Sequence, residues 1–215
     1  MLPNLDMPRR LPSEVDLTLL WSGLFLLLLG MVMVYSSSIA IAEASRMASH
    51  NPAHYLLRHA VFLAVGLVAA GIAFQVPLSA WQQLAPWLFV AGCVMLMLVL
   101  VPGIGRDVNG ARRWFSLGPI NLQPSELMKL FAVLYAADYT VRKMPHMQDL
   151  KKAFLPMACA MVVVGVLLLK EPDFGAFVVI ISIAIGILFL GGMRARLFAV
   201  LIVVLLVAFA VMIVV

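Results

Sequence analysis

Charge is scarce in this chain. Only 12% of its 215 residues are Asp, Glu, Lys or Arg, while 64% are hydrophobic and the mean hydropathy is +1.08. A soluble globular domain carries about a quarter charged residues, so the shortage excludes a chain folded around one water-excluded core and leaves a multi-pass membrane protein. Cysteine is almost missing too: Cys93 and Cys159 both fall inside apolar runs, and neither belongs to a CxxC or a Cys/His ligand spacing. That excludes a disulfide framework and a zinc site. His50, His54 and His59 gather loosely near one loop without accompanying carboxylates, and they read as interfacial side chains rather than metal ligands. The formal charge of +5 and the pI near 9.6 do not point to nucleic acid, because the basic residues are scattered between apolar runs and form no face or tail. No internal repeat, low-complexity tract or linker interrupts the pattern.

What is present is a succession of long apolar runs. A membrane helix needs about 20 of them in a row, and seven segments qualify as candidates: residues 17–39, 59–76, 83–102, 125–142, 154–170, 174–192 and 197–215. Runs such as LLWSGLFLLLLGMVMVY lack the alternation of a barrel strand, so each span must satisfy its backbone as a helix. The fold class expected is therefore all-α, a polytopic membrane helix bundle. The first run follows Arg9 and Arg10 like a secretory signal, but its apolar length exceeds a signal core, and it reads as a retained span. Residues 1–16 are expected to be a cytoplasmic amino-terminal segment and 17–215 a partial transmembrane domain. The last run, VLIVVLLVAFAVMIVV, stops at Val215 without a polar or aromatic flank, which leads us to expect an amino-terminal fragment.

With the amino terminus inside, the loops divide eight Lys and Arg residues inside against seven outside. The positive-inside rule barely decides, although the RK and KK pairs after the fourth span suit the cytoplasmic side. The near-tie reflects an unusual number of cations on the outer side, where residues 40–58 and 103–123 form the two long loops.

The second of those loops, PGIGRDVNGARRWFSLGPINLQPSE, is punctuated by Gly and Pro as a set of ordered turns. Trp114 and Phe115 can sit in the headgroup zone, and Arg112 and Arg113 beside them either anchor the loop to lipid phosphates or capture a phosphate or pyrophosphate. The next helix is expected to begin at Pro124 with Gln123 as its cap. Glu126 then lies at the positive end of the helix dipole and Lys129 three residues on along the same face. They make a local ion pair, a lining for a wet cavity, or both, since ionisable residues at a span are costly elsewhere. Asp138 and Arg142, four apart near the other end, read as a structural pair. In LLLKEPDFG, Pro172 suggests another helix start, with Glu171 and Asp173 at its positive end as caps or as part of a site. In this topology the three charged turns open on one side, where they can form one polar cleft.

NGARRWFSLGPINLQPSELMKL, with EPDFG some way on and MVYSSSIA ending the first span, resembles the SEDS family (shape, elongation, division, sporulation) over essentially the whole chain. The polar amino-terminal extension and the VYSSSIA ending are more similar to its division members than to its rod-shape members. The resemblance implies about ten spans, of which about seven are here, and a cytoplasmic amino terminus in the bacterial inner membrane at the division septum. It also implies peptidoglycan glycosyltransferase activity on lipid II, a glycan carried on undecaprenyl pyrophosphate. Implied partners are a transpeptidase penicillin-binding protein and further divisome proteins, with a divalent cation (Mg or Mn) as a candidate cofactor. The glutamate and lysine of the family's PSExxK map onto Glu126 and Lys129 as supporting catalytic residues. Arg112, Arg113, Gln123, Glu171 and Asp173 are expected to bind substrate. The family's presumed catalytic aspartate lies in an external loop beyond residue 215. Many members have arginine where this chain has Asn121, so Arg112 or Arg113 must serve in its place, or the site differs. A lipid-precursor flippase and a noncatalytic divisome scaffold are the alternative functions.

Overall fold

The computed structural model describes residues 16–44, 51, 53–108, 110–117 and 120–203. All but the last residue of the expected cytoplasmic segment, and most of the seventh span, lie outside them. The described chain is helical apart from one small sheet, and it forms two compact units, residues 1–75 and 76–215.

In the first unit, α1 (Leu17–Ala44) and α2 (His54–Gln75) pack on each other. Asp16 caps α1 by accepting the backbone N–H of Thr18 at 2.9 Å and of Leu19 at 3.1 Å, as a short acidic side chain does at a helix start. Side chains such as Trp21, Phe25, Leu28, Val65 and Phe74 face outward from the unit. A helix that is apolar all round belongs in lipid.

The second unit carries the core. It contains α3 (Leu78–Leu100), α4 (Pro124–Lys143), α5 (Leu155–Lys170), α6 (Phe174–Leu190) and a further helix, α7, over residues 195–203. On α4, Met128, Ala132 and Ala136 recur every fourth residue and are fully buried, which makes a narrow stripe that lets α3 and α6 approach from two sides. Leu96 of α3, Leu168 of α5 and Ile180 of α6 complete the core. Tyr139 is buried with them and its hydroxyl donates to the carbonyl of Ala153 at 2.7 Å, so its polar tip has a partner.

α1, α2, α3 and the segment Lys151–Lys170 are long and apolar enough to cross a membrane. α6 is apolar but has 17 residues, a length of about 26 Å, and α4 interrupts its apolar surface with Glu126, Lys129, Asp138 and Arg142. This is an integral membrane helix bundle, as the composition predicts.

The loop between α3 and α4 departs from the expected set of turns. It is a three-stranded antiparallel sheet in the order β1 (Gly105–Val108), β2 (Ala111–Leu117), β3 (Ile120–Leu122). Register pairs Asp107 with Arg112, Phe115 with both Gly105 and Leu122, and Ser116 with Asn121. Gly110 has φ 78° in the β1–β2 turn, a conformation glycine adopts without steric cost. β1 starts so close to the end of α3 that a Cβ on Gly105 would overlap the carbonyl of Val99. The sheet is thus seated on the helix end rather than hanging free.

Candidate functional site

Three segments converge at one end of the second unit: β2, the first turn of α4, and the turn between α5 and α6. Pro124 occupies the first turn of α4 after Gln123 in extended conformation, as expected from a proline whose missing N–H costs nothing there. α6 begins at Phe174 with Asp173 as its cap, two residues beyond the start that Pro172 suggests. Glu171 ends α5 instead of opening α6.

Asp173 ties these segments together. Its Oδ1 accepts the backbone N–H of Ala176 at 3.2 Å, capping α6. Its Oδ2 accepts the Ser125 hydroxyl at 2.7 Å and the Gln123 side-chain amide at 2.9 Å, and that amide also donates to the Ser125 oxygen at 2.9 Å. Ser125 is fully buried and Asp173 is 8% exposed, so one carboxylate satisfies donors from two helices out of water. Arg113 closes the third side: its Nε donates to the carbonyl of Glu171 at 2.8 Å and its Nη2 to the carbonyl of Pro172 at 2.6 Å. The guanidinium fork holds two successive carbonyls of the α5–α6 turn, which a lysine's single ammonium cannot match in geometry.

Glu171 is the exposed chemistry's opposite. Its side chain is fully buried, and neither carboxyl oxygen has a hydrogen-bond partner among the described residues. Burial, then repulsion from Asp173, outweigh the attraction of Arg113 and push its carboxyl up to about 8 from an ordinary 4.5. It is therefore protonated at neutral pH. Because the folded-state pKa is raised, the stability it contributes is full below about pH 4.5 and is lost as pH rises through about 8. Glu171→Gln, a neutral mimic, is expected to leave the melting temperature unchanged at pH 5 and raise it above the parent's at pH 9, measured by thermal unfolding in detergent.

The remaining sequence-selected residues stand apart from this network. Lys129 Nζ pairs with Glu126 Oε2 at 2.7 Å, with the two side chains 30% and 60% exposed. Arg112 Nε lies 3.6 Å from Asp107 Oδ2 across the β1–β2 pair. Adjacent residues of a strand point to opposite faces, so the two arginines that the sequence offered as alternatives do different things. Arg113 serves as a latch, while Arg112 is half exposed in a loose pair. Arg113→Ala is expected to lower stability by about 2–3 kcal/mol, through two charge-assisted hydrogen bonds, and Arg112→Ala by less than about 1 kcal/mol. Unfolding of the two variants side by side checks the difference. Asp138 and Arg142 form the expected pair at 2.8 Å. Ser125 is the residue the sequence reading passed over. Its signal was a hydroxyl in the first turn of a helix, four residues before Lys129.

Residues 17–215 match the FtsW/RodA/SpoVE family, described as cell cycle protein. Among the curated relatives, the chain is 60% identical over 200 residues to a probable peptidoglycan glycosyltransferase FtsW of Aromatoleum aromaticum, covering 93% of this chain and 49% of that one. It is 55% identical over 185 residues to the protein of the same description in Burkholderia thailandensis, covering 86% of this chain and 40% of the other. The chain thus spans about half the length of the curated relatives it matches. Among solved structures, the rod shape determining protein RodA of Thermus thermophilus superposes with TM-score 0.62 at 29% identity, covering 83% of this chain and 58% of that one. A chain of a peptidoglycan synthase complex, described as structurally coordinating polymerization and crosslinking, superposes with TM-score 0.61 at 32% identity over 85% of this chain and 53% of its own length. The motifs, the helix bundle and these matches agree: the chain belongs to the FtsW/RodA/SpoVE family of cell cycle proteins.

Proposed function

We propose that these residues are the first part of a transmembrane domain that polymerises lipid II into glycan strands during septal cell-wall synthesis, in the bacterial inner membrane with the amino terminus cytoplasmic. The observation that carries the reading is the 60% identity over 93% of the chain to a relative described as a probable peptidoglycan glycosyltransferase. The site's chemistry supports it. Joining the 4-hydroxyl of an acceptor sugar to the anomeric carbon of the donor releases undecaprenyl pyrophosphate, and the step needs a base for the hydroxyl and positive charge for the departing oxygens. Lys129, oriented by Glu126, supplies that charge, and Arg112 adds a fork for the diphosphate. Arg113, Gln123, Ser125 and Asp173 hold β2, α4 and the α5–α6 turn in register beneath them. The base comes from the external loop that the family resemblance places beyond residue 215. Among the described residues, no group of three or more His, Cys, Asp and Glu side chains could hold a metal ion. The donor set among the described residues therefore does not fit a resident divalent cation.

A transpeptidase partner is part of the same proposal, supported by the likeness to a chain of a synthase complex described as coordinating polymerization and crosslinking. The test is to incubate the whole protein, purified with its transpeptidase in detergent, with labelled lipid II. A glycan ladder is expected, since no bilayer is needed. An intact complex that makes no ladder overturns the enzyme in favour of a scaffold. Translocation of lipid II in vesicles without any ladder overturns it in favour of a flippase.

A further inference from the structure

At the far ends of α4, α5 and α6 from the candidate site lies a cleft of about 810 Å³. The chain turns from α4 to α5 on one side of it and from α6 to α7 on the other. Its polar lining comes from His146, Gln148, Asp149, Arg194 and Arg196. Its apolar lining comes from Phe154, Leu197 and Val200, residues of the bundle itself.

The two arginines occupy an electrostatically poor position. The Arg194 carbonyl accepts the N–H groups of Leu197 at 3.0 Å and Phe198 at 3.1 Å, so Arg194 stands at the start of α7 and Arg196 within its first turn. Cations there face the positive end of the helix dipole, where an anion is favoured. Both side chains are exposed, and among the described residues neither has an ion-pair partner within 4.0 Å. The acid in the cleft, Asp149, is already engaged: Oδ2 lies 3.9 Å from Lys152 Nζ and Oδ1 accepts the N–H of Lys151 at 3.0 Å. A membrane-edge anchor alone would need no cleft between two turns and no apolar floor.

We propose that this cleft binds the headgroup of an anionic glycerophospholipid. The phosphate lies between Arg194, Arg196 and the free N–H groups at the start of α7, and an acyl chain runs along Phe154, Leu197 and Val200. A basic pocket between helices at the bilayer edge suits such a headgroup, and the planar forks of two arginines suit its phosphate oxygens. A soluble phosphate would use the arginines but leave the apolar floor unfilled, which separates the two sources.

The experiment uses the purified protein in detergent, titrated with fluorescent phosphatidylglycerol and, in parallel, with fluorescent phosphatidylcholine. Saturable binding of the former and not the latter is expected, with sn-glycerol phosphate a poor competitor. Arg194→Gln with Arg196→Gln is expected to weaken phosphatidylglycerol binding roughly 30-fold. Lys143→Gln with Lys151→Gln, equal in charge lost but outside the cleft lining, is expected to weaken it less than about threefold. Helix content by circular dichroism should be unchanged in both. Equal losses in the two double variants would reduce the effect to general surface charge and overturn the site. Binding of phosphatidylcholine as tight as phosphatidylglycerol, or displacement by glycerol phosphate at concentrations matching the lipid, overturns it as well.

Discussion

Asp173→Ala is expected to destabilise the second unit by about 3–5 kcal/mol and to reduce polymer yield at least about a hundredfold. The single oxygen Oδ2 accepts from both Ser125 and Gln123, and Oδ1 caps α6 through Ala176. Alanine removes both acceptor oxygens, and with them all three hydrogen bonds, and strands the fully buried Ser125 hydroxyl. Bonds to a charged acceptor are worth about 1.5–3 kcal/mol each, but three that share one carboxylate do not add. Asp173→Asn separates shape from charge. The amide oxygen can keep one set of donors, while its NH2 group turns toward the other, so a loss of about 1–2 kcal/mol is expected. Thermal unfolding in detergent reads the stability, and the glycan ladder reads the activity. An alanine variant that melts with the parent would mean the three segments are held without this carboxylate, and the positioning role assigned to it fails.

The apolar spans were legible because the bilayer imposes a minimum length that composition alone reveals. Two of their starts were not. α2 begins at His54 and α3 at Leu78, each about five residues before the apolar run proper. Tyr55, Arg58, Gln82 and Gln83 lower the hydropathy there without breaking the helix, since a polar side chain at a membrane edge is compatible with helical backbone. The sheet between α3 and α4 was missed because its strands are short and β1 and β2 carry charged and apolar residues side by side. The Asn-Gly pair at 109–110, a strong hairpin signal, was available. Recognising it would have assigned Arg112 and Arg113 to opposite faces of a strand from the outset. Glu126 with Lys129 and Asp138 with Arg142 were legible as pairs because helical spacing fixes neighbours locally. The joining of Gln123, Ser125 and Asp173 was not, because it links residues some fifty positions apart, and no local pattern encodes that approach. Of the four charged residues expected to line one cleft, Arg113 joins the buried brace, while Arg112 and the Glu126–Lys129 pair lie outside that network in more exposed ion pairs.

Lys129→Ala should leave the fold intact and abolish most of the polymerisation. The Lys129–Glu126 pair is substantially exposed, so its contribution to stability is about 1 kcal/mol or less. A charge aimed at a developing oxyanion is a different matter, because it acts mainly in the transition state, and deleting such a donor costs roughly 10²–10³ in kcat. Glu126→Gln keeps a hydrogen-bond acceptor at the right distance but no longer fixes the ammonium electrostatically, and a loss of about tenfold is expected. If Glu126 works only through Lys129, the double variant should be no worse than Lys129→Ala alone, since the second change removes support for a group already gone. Initial rates of glycan-ladder formation for the two single variants and the double variant close that cycle. Full additivity would show Glu126 acting on substrate in its own right. Near-normal rates from Lys129→Ala would remove the lysine from the chemistry and leave the pair a structural feature of α4.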